Sequence, residues 1–201
     1  MQKAGQEQYP EAWIHYYYLR QNFRAILNHH KLYSTNLELN KKSYDNAHAW
    51  TAFRIAEAAN QTRDYKLAWT YIEKAIDLAP YIPEFRSKAA VLAIKNRDFA
   101  AANTQFEKLE KVLIYDPSMW NNRGFLMENT GQENQALKAY QQAIDVDPLY
   151  LPAYVKITGI FARKGEFQNA LEWINKAQRI APNNQEILEI QSWVVQQINT
   201  K

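Results

Sequence analysis

At 201 residues, with 47% hydrophobic and 13% aromatic content, the chain can bury a sizeable core and does not have the composition of a disordered polymer. Its 24 Lys and Arg are dispersed among 21 acids for a net charge of +3, which argues against a phosphate-tracking surface despite a pI near 8.9, so nucleic acid is not the expected partner. Cysteine is absent, which excludes disulfides and thiolate metal sites and leaves the redox compartment open.

No stretch reads as a transmembrane segment, since the longest aliphatic run, Ala89 to Ile94, is far too short. Met1 to Arg20 mixes charge, Gln and aromatics without the apolar centre of a secretory signal. The expectation is a soluble chain whose compartment the sequence leaves open: cytoplasmic, or periplasmic or otherwise extracytoplasmic if it is a fragment of a larger protein.

Along the chain, Tyr9-Pro10-Glu11 leads into a predicted helix ending near Asn28, with Trp13, Tyr16, Arg20, Phe23 and Leu27 near one face. Asn36 to Lys42 reads as a short second helix, and Asp45-Asn46 as the cap of the first repeat. Residues 1–48 are thus an N-terminal helical extension, a degenerate helix pair. Aromatic stripes at helical spacing are usually core, so Trp13, Tyr16, Tyr17 and Tyr18 should pack inward. The alternative is a docking surface for a partner, a membrane interface, or a second copy in a homo-oligomer. His15, His29, His30 and His48 share this region but read as surface or capping groups, because adjacent His29 and His30 point apart.

From residue 49 a pattern recurs every 34 residues, with frames opening at Ala49, Pro83, Pro117, Leu151 and Gln185. The third frame, 117–150, shows Trp120, Gly124, Gly131, Ala136, Tyr140, Ala143 and Pro148 at positions 4, 8, 15, 20, 24, 27 and 32. The fourth, 151–184, has Tyr154, Thr158, Gly165, Ala170, Ile174, Ala177 and Pro182 there. The first, 49–82, has Ala52, Ala56, Arg63, Ala68, Ile72, Ala75 and Pro80. The second, 83–116, departs most, with Arg86, Leu109 and Ile114 at positions 4, 27 and 32. Its breaking proline has moved to Pro117, so its second helix is expected to run about one turn longer.

This pattern resembles the tetratricopeptide repeat, a helix-turn-helix unit marked by an aromatic, small residues and a proline. The resemblance implies an all-α fold, a right-handed α-solenoid of antiparallel helix pairs over 49–184, with a C-terminal capping helix over 185–201. Small residues such as Ala90, Gly124, Ala136 and Ala143 let helices approach, and Phe106, Trp120 and Tyr140 fill the space between them. Gly131 and Gly165 suit left-handed helix ends, and Asp116-Pro117 reads as a cap followed by a first-turn proline. Asn183 with Glu186 resembles a capping box for the last helix, whose Ile187, Leu188, Val194, Val195 and Ile198 should pack on the fourth repeat.

At about 100° per residue, positions 4, 7, 8 and 11 form one face of the first helix of each pair and positions 2, 6, 9 and 13 the opposite one. The second face carries columns containing Trp50; Arg54, Lys88, Asn122 and Lys156; Glu57, Phe125 and Gly159; and Gln61, Lys95, Asn129 and Arg163. In the family it lines a concave groove that holds extended peptides. By that resemblance Asn121 and Asn122 would bond a peptide backbone, and Arg54, Lys88 and Lys156 would attract carboxylates. The alternative is a solvated polar face. The carboxylate clamp of chaperone-binding members is incomplete, with Phe53 and Glu57, or Ser87 and Val91, at the places of its first pair. The asparagine ladder of members fused to sugar-transferring enzymes is represented by Asn122 alone.

No phosphate loop, nucleophile elbow or zinc spacing occurs, and carboxylates such as Glu107, Glu110 and Asp116 read as solvated, so neither enzyme chemistry nor a cofactor or metal is expected. The function expected is a non-enzymatic scaffold or adaptor that binds an extended acidic or polar peptide. A soluble regulatory tail of a larger membrane or secretion assembly is the alternative.

Overall fold

A helix pair whose first member begins at a capped or proline-bearing turn, and whose halves meet through small residues, is repeated along the chain. The computed structural model describes residues 10–39 and 46–200, and all regular structure among them is helical. The described residues fall into two compact units divided between Leu109 and Glu110.

The first unit holds α1 (Pro10–Leu19), α2 (Phe23–Leu39), α3 (Asn46–Gln61), α4 (Tyr65–Leu78), α5 (Pro83–Lys95) and α6 (Phe99–Leu109). Its core joins Ile14, Ile26 and Tyr33 to Ala52, Ala56, Ile72, Ala75, Phe85 and Leu92. The second unit holds α7 (Pro117–Asn129), α8 (Glu133–Val146), α9 (Leu151–Arg163), α10 (Phe167–Ile180) and α11 (Gln185–Asn199), around Ala136, Tyr140, Tyr154, Ile157, Ile174 and Ile187.

Five turns within pairs close in the same way. The amides of Asn22, Asp64, Asp98, Gln132 and Glu166 bond the carbonyls of Tyr17, Ala59, Ala93, Met127 and Phe161 at 2.8–3.0 Å, five residues back. The preceding residue is left-handed each time: Gln21, Arg63, Arg97, Gly131 and Gly165, with φ between 52° and 74°. Three of the five therefore place a side chain where glycine is favoured.

This turn corrects the amino-terminal expectation. The helix expected to run to Asn28 breaks after Leu19, and Asn22 caps α2 by accepting the Ala25 amide at 3.1 Å, as Asp64 and Asp98 do for α4 and α6. The second helix is thus α2 rather than a short segment from Asn36; positions 40–42 and Asp45 lie outside the described residues. With the stripe interrupted, Ile14 is buried, Tyr17 and Tyr18 pack against the core, and Tyr16 stays exposed beneath Arg20. His29 and His30 bond carbonyls of their own helix, at Ala25 and Leu27.

Helix α6 stops at Leu109 instead of running a turn longer. The next residues spend their polar groups on the approach to α7: Glu110 pairs with Arg123, the Trp120 indole donates to the Ile114 carbonyl at 2.9 Å, and the Asp116 amide bonds Leu113. Asp116 accepts from the Ser118 and Met119 amides as the cap of α7, with Pro117 in the first turn. At the carboxyl end the cap is Asn184, not Asn183, because the Asn184 carboxamide reaches the Ile187 amide at 3.1 Å. Ile187 and Val194 are buried, whereas Val195 points outward and Ile190 takes its place against the core.

Gly124 marks a close approach of two helices. A Cβ there would lie 2.6 Å from Cε1 of Tyr140, whose ring is fully buried. Gly124→Ala is therefore expected to cost about 1–3 kcal/mol, read as a lower melting temperature. Arg97→Gly should instead stabilise by roughly 0.5–1 kcal/mol, because relief of the left-handed strain exceeds the added entropy of the unfolded chain. A melting temperature unchanged by both would mean that neither contact limits the fold.

Candidate functional site

Helical periodicity separates the two faces much as expected. Positions 8 of the four frames, Ala56, Ala90, Gly124 and Thr158, are buried, while positions 13, Gln61, Lys95, Asn129 and Arg163, are exposed. Positions 6 and 9 between them are half-buried, so their polar ends need partners.

Those partners come from the neighbouring pair, in the same register in both units. In the first unit Glu57 forms an ion pair with Lys88, both largely shielded from water, and Lys95 Nζ donates to Asn60 Oδ1 at 3.1 Å. In the second unit Lys156 Nζ lies 4.8 Å from the Phe125 ring centre and Arg163 Nη2 donates to Glu128 Oε1 at 2.5 Å. Position 9 thus meets position 6 of the next frame, and position 12 meets position 13.

The amino-terminal helix closes the sequence of contacts in the first unit. The Tyr18 hydroxyl donates to Glu57 Oε2 at 2.9 Å, and Arg54 lies over the Tyr18 ring at 5.8 Å. Burial, reinforced by the Glu57 carboxylate, raises the Tyr18 phenol above the ordinary tyrosine range, and burial lowers the Arg54 guanidinium. Beside them a cavity of about 520 Å³ is lined by Tyr18, Leu19, Gln21, Phe23, Glu57 and Gln61.

Several predicted groove residues therefore have other occupations. Trp50 is half-buried, edge-on to Phe85 at 4.9 Å and Phe53 at 5.4 Å. Lys88 is not a free cation, since Glu57 neutralises it. Asn121 is largely buried, with its amide oxygen enclosed and unpartnered, so that oxygen does not face a peptide. Asn129 bonds the Phe125 carbonyl of its own helix at 2.8 Å. Asn122 is half-buried and Lys156 has no carboxylate beside it among the described residues of the second unit, which leaves these two, with the Arg163 nitrogen that Glu128 does not engage, as the polar groups available there.

Residues outside the predicted set complete the faces: Tyr18, Glu128, Tyr140 and a group around Trp193. Glu128 accepts from Tyr140 Oη at 2.7 Å through one oxygen and from Arg163 through the other. Position 12 was not among the columns read from sequence, so Glu128 had no signal there. Around Trp193, Val155, Gly159, Ala162, Arg163 and Ile190 border an apolar cavity of about 360 Å³ between α9 and α11. Gly159 is the one member that the position 9 column contains.

Helix pairs in a fixed register, with a half-buried polar face, define a helical-repeat protein. The tetratricopeptide repeat family matches at residues 51–81 and 129–185. The chain is 33% identical over 151 residues to Hsp70-Hsp90 organizing protein 2 of Arabidopsis thaliana, covering 75% of this chain and 26% of that protein. It is 28% identical over 126 residues to human tetratricopeptide repeat protein 6, covering 62% and 24%. Among solved structures, the type IV pilus biogenesis factor PilW aligns with a TM-score of 0.74 at 15% identity, over 96% of this chain and 86% of that one. YrrB, described as having an unusual peptide-binding site, aligns with a TM-score of 0.65 at 18% identity, over 94% and 97%. At these identities the structural likeness is one of fold. The chain belongs to the tetratricopeptide repeat family, and it spans about a quarter of the length of these two curated relatives.

The Tyr140 phenol is pushed well above the usual tyrosine range, first by burial and then by its bond to Glu128. Because the folded value is raised, this contribution is intact below about pH 10 and fades as pH rises further. Tyr140→Phe is expected to cost about 1–2 kcal/mol at neutral pH and to lessen the loss of stability above about pH 10. Melting curves at pH 7 to 11 check this; parallel curves for the two proteins would assign the alkaline loss to other groups.

Proposed function

We propose that the chain is a non-enzymatic protein-interaction scaffold, and that its second unit binds an extended, acidic or polar peptide across the face formed by α7, α9 and α11. The supporting observation is the asymmetry between the two units at matching positions. Lys88 of the first unit is neutralised by Glu57, whereas its counterpart Lys156 lies over Phe125, a ring that holds the cation without cancelling its charge. Asn122 and Arg163 share that face, with amide and guanidinium donors suited to a peptide carbonyl or carboxylate. Arg54 of the first unit is covered in part by Tyr18, which makes it the weaker attraction. The family and the relatives, one of them named as an organizing protein, support an interaction role rather than catalysis.

The test is capture of partners from native lysate, followed by titration of the captured partner against wild-type chain, Lys156→Glu and Lys88→Gln at two salt concentrations. Lys156→Glu should weaken binding at least tenfold with helicity intact, and added salt should weaken the wild type as it screens the cation. Lys88→Gln should have little effect. Equal binding by wild type and Lys156→Glu would make this face a solvated surface.

A further inference from the structure

The contacts between positions 9 and 6 that fill the earlier rungs fail at the last one. Where Glu57 meets Lys88, and Phe125 meets Lys156, the third rung brings Gly159 opposite Ile190, two residues that cannot close the space between α9 and α11. The result is the cavity of about 360 Å³, large enough for a Phe or Leu side chain, bordered by Val155, Ala162 and Trp193. Trp193 is 47% exposed, an unusual position for so large an apolar ring, and its other edge is fixed by Phe167 at 6.1 Å.

The single charge at the cavity is Arg163, and its geometry is specific. Nη2 is engaged by Glu128, but Nη1 lies 3.6 Å from where a Gly159 Cβ would be, at the cavity wall, with no acceptor among the described residues. The guanidinium is held in place by one nitrogen and offers another. An apolar recess with one fixed guanidinium on its wall, paired with Glu128 through Nη2 but leaving Nη1 as a donor, and with no acid among its lining residues, is complementary to an apolar side chain with a carboxylate beside it.

We propose that this recess is an anchor site for a large apolar side chain, Phe or Leu, of a bound peptide, with a carboxylate next to that residue held by Arg163 Nη1. The inference rests on the proposed peptide-binding function and names the chemistry it requires: an acidic segment interrupted by an apolar anchor, rather than a uniformly acidic or polar one. The carboxylate can be a neighbouring Glu or Asp side chain or the terminal carboxylate of the peptide.

The test uses the full 201-residue chain and fluorescein-labelled peptides in anisotropy titrations. One peptide, Ser-Glu-Phe-Glu-Ser with an amidated end, carries side-chain carboxylates; another, Ser-Gln-Gln-Phe with a free end, carries only the terminal one. Each is compared with its Phe→Ser form and with a form lacking the carboxylates. At least one peptide should bind about tenfold or more tightly than both of its controls, the preferred one identifying the source of the carboxylate. Gly159→Leu, which fills the recess from an open helix face, should erase the preference for Phe, and Arg163→Gln should erase the preference for the carboxylate. Trp193→Ala, at an exposed wall, serves as the second recess variant should Gly159→Leu lower helicity or melting temperature. Equal binding of Phe and Ser peptides, preference unchanged in the recess variants, or no binding by any peptide would overturn the anchor. If Phe and Ser peptides bind equally but both are lost in Lys156→Glu, the anchor fails while the broader face stands. Binding indifferent to Lys156→Glu as well would remove both.

Discussion

Close approach of two helices through a small residue at position 8 is the constraint on which the rest depends. Gly124 lies against the Tyr140 ring with no room for a methyl group, and the corresponding Ala56, Ala90 and Thr158 are all buried. A dense interior gains dispersion energy only while such contacts stay gap-free. Once the buried side of the first helix is committed in this way, helical geometry projects positions 6, 9 and 13 away from it. The site is a consequence of the packing, and it inherits the packing's register.

That register decides the electrostatics. Half-buried polar side chains at positions 6 and 9 gain from partners, and within each unit stacking brings these positions together at one fixed offset. In the first unit the partners are opposite charges, so Glu57 and Lys88 cancel. In the second a ring stands in for the acid, and Lys156 keeps its charge above Phe125. At the carboxyl end glycine stands in for both, and the space is left as a recess beside Trp193. Variation at one frame position thus yields a neutral rung, a cationic rung and an apolar hollow.

The two ends of the chain complete the faces in different ways. Helix α1 supplies Tyr18, whose hydroxyl and ring engage Glu57 and Arg54, so the first unit's polar face is partly occupied by the protein itself. Helix α11 covers the core of the second unit with Ile187, Ile190 and Val194, while Trp193 is turned toward the recess. A helix that covers a core has a second side to present, and here that side carries the largest exposed ring of the unit.

The helix pairs, their 34-residue frame, the buried face and the left-handed turns at Gly131 and Gly165 were legible in the sequence, because they arise from local rules: helical period, chain sterics and side-chain size. The sequence was less informative where a local signal competed with another of similar strength. Asn22 ended the first helix where an aromatic stripe argued for continuation, and Asn184 rather than Asn183 reached the next amide. The columns of the site were legible as positions, but their chemistry was not. Whether Lys88 is a free cation or half of an ion pair, whether Asn121 meets solvent, and whether Gly159 leaves a hollow all depend on residues from neighbouring helices. Periodicity in one helix determines which way a side chain points, whereas its charge state and accessibility are properties of what stands opposite, and only the packed tertiary structure supplies that.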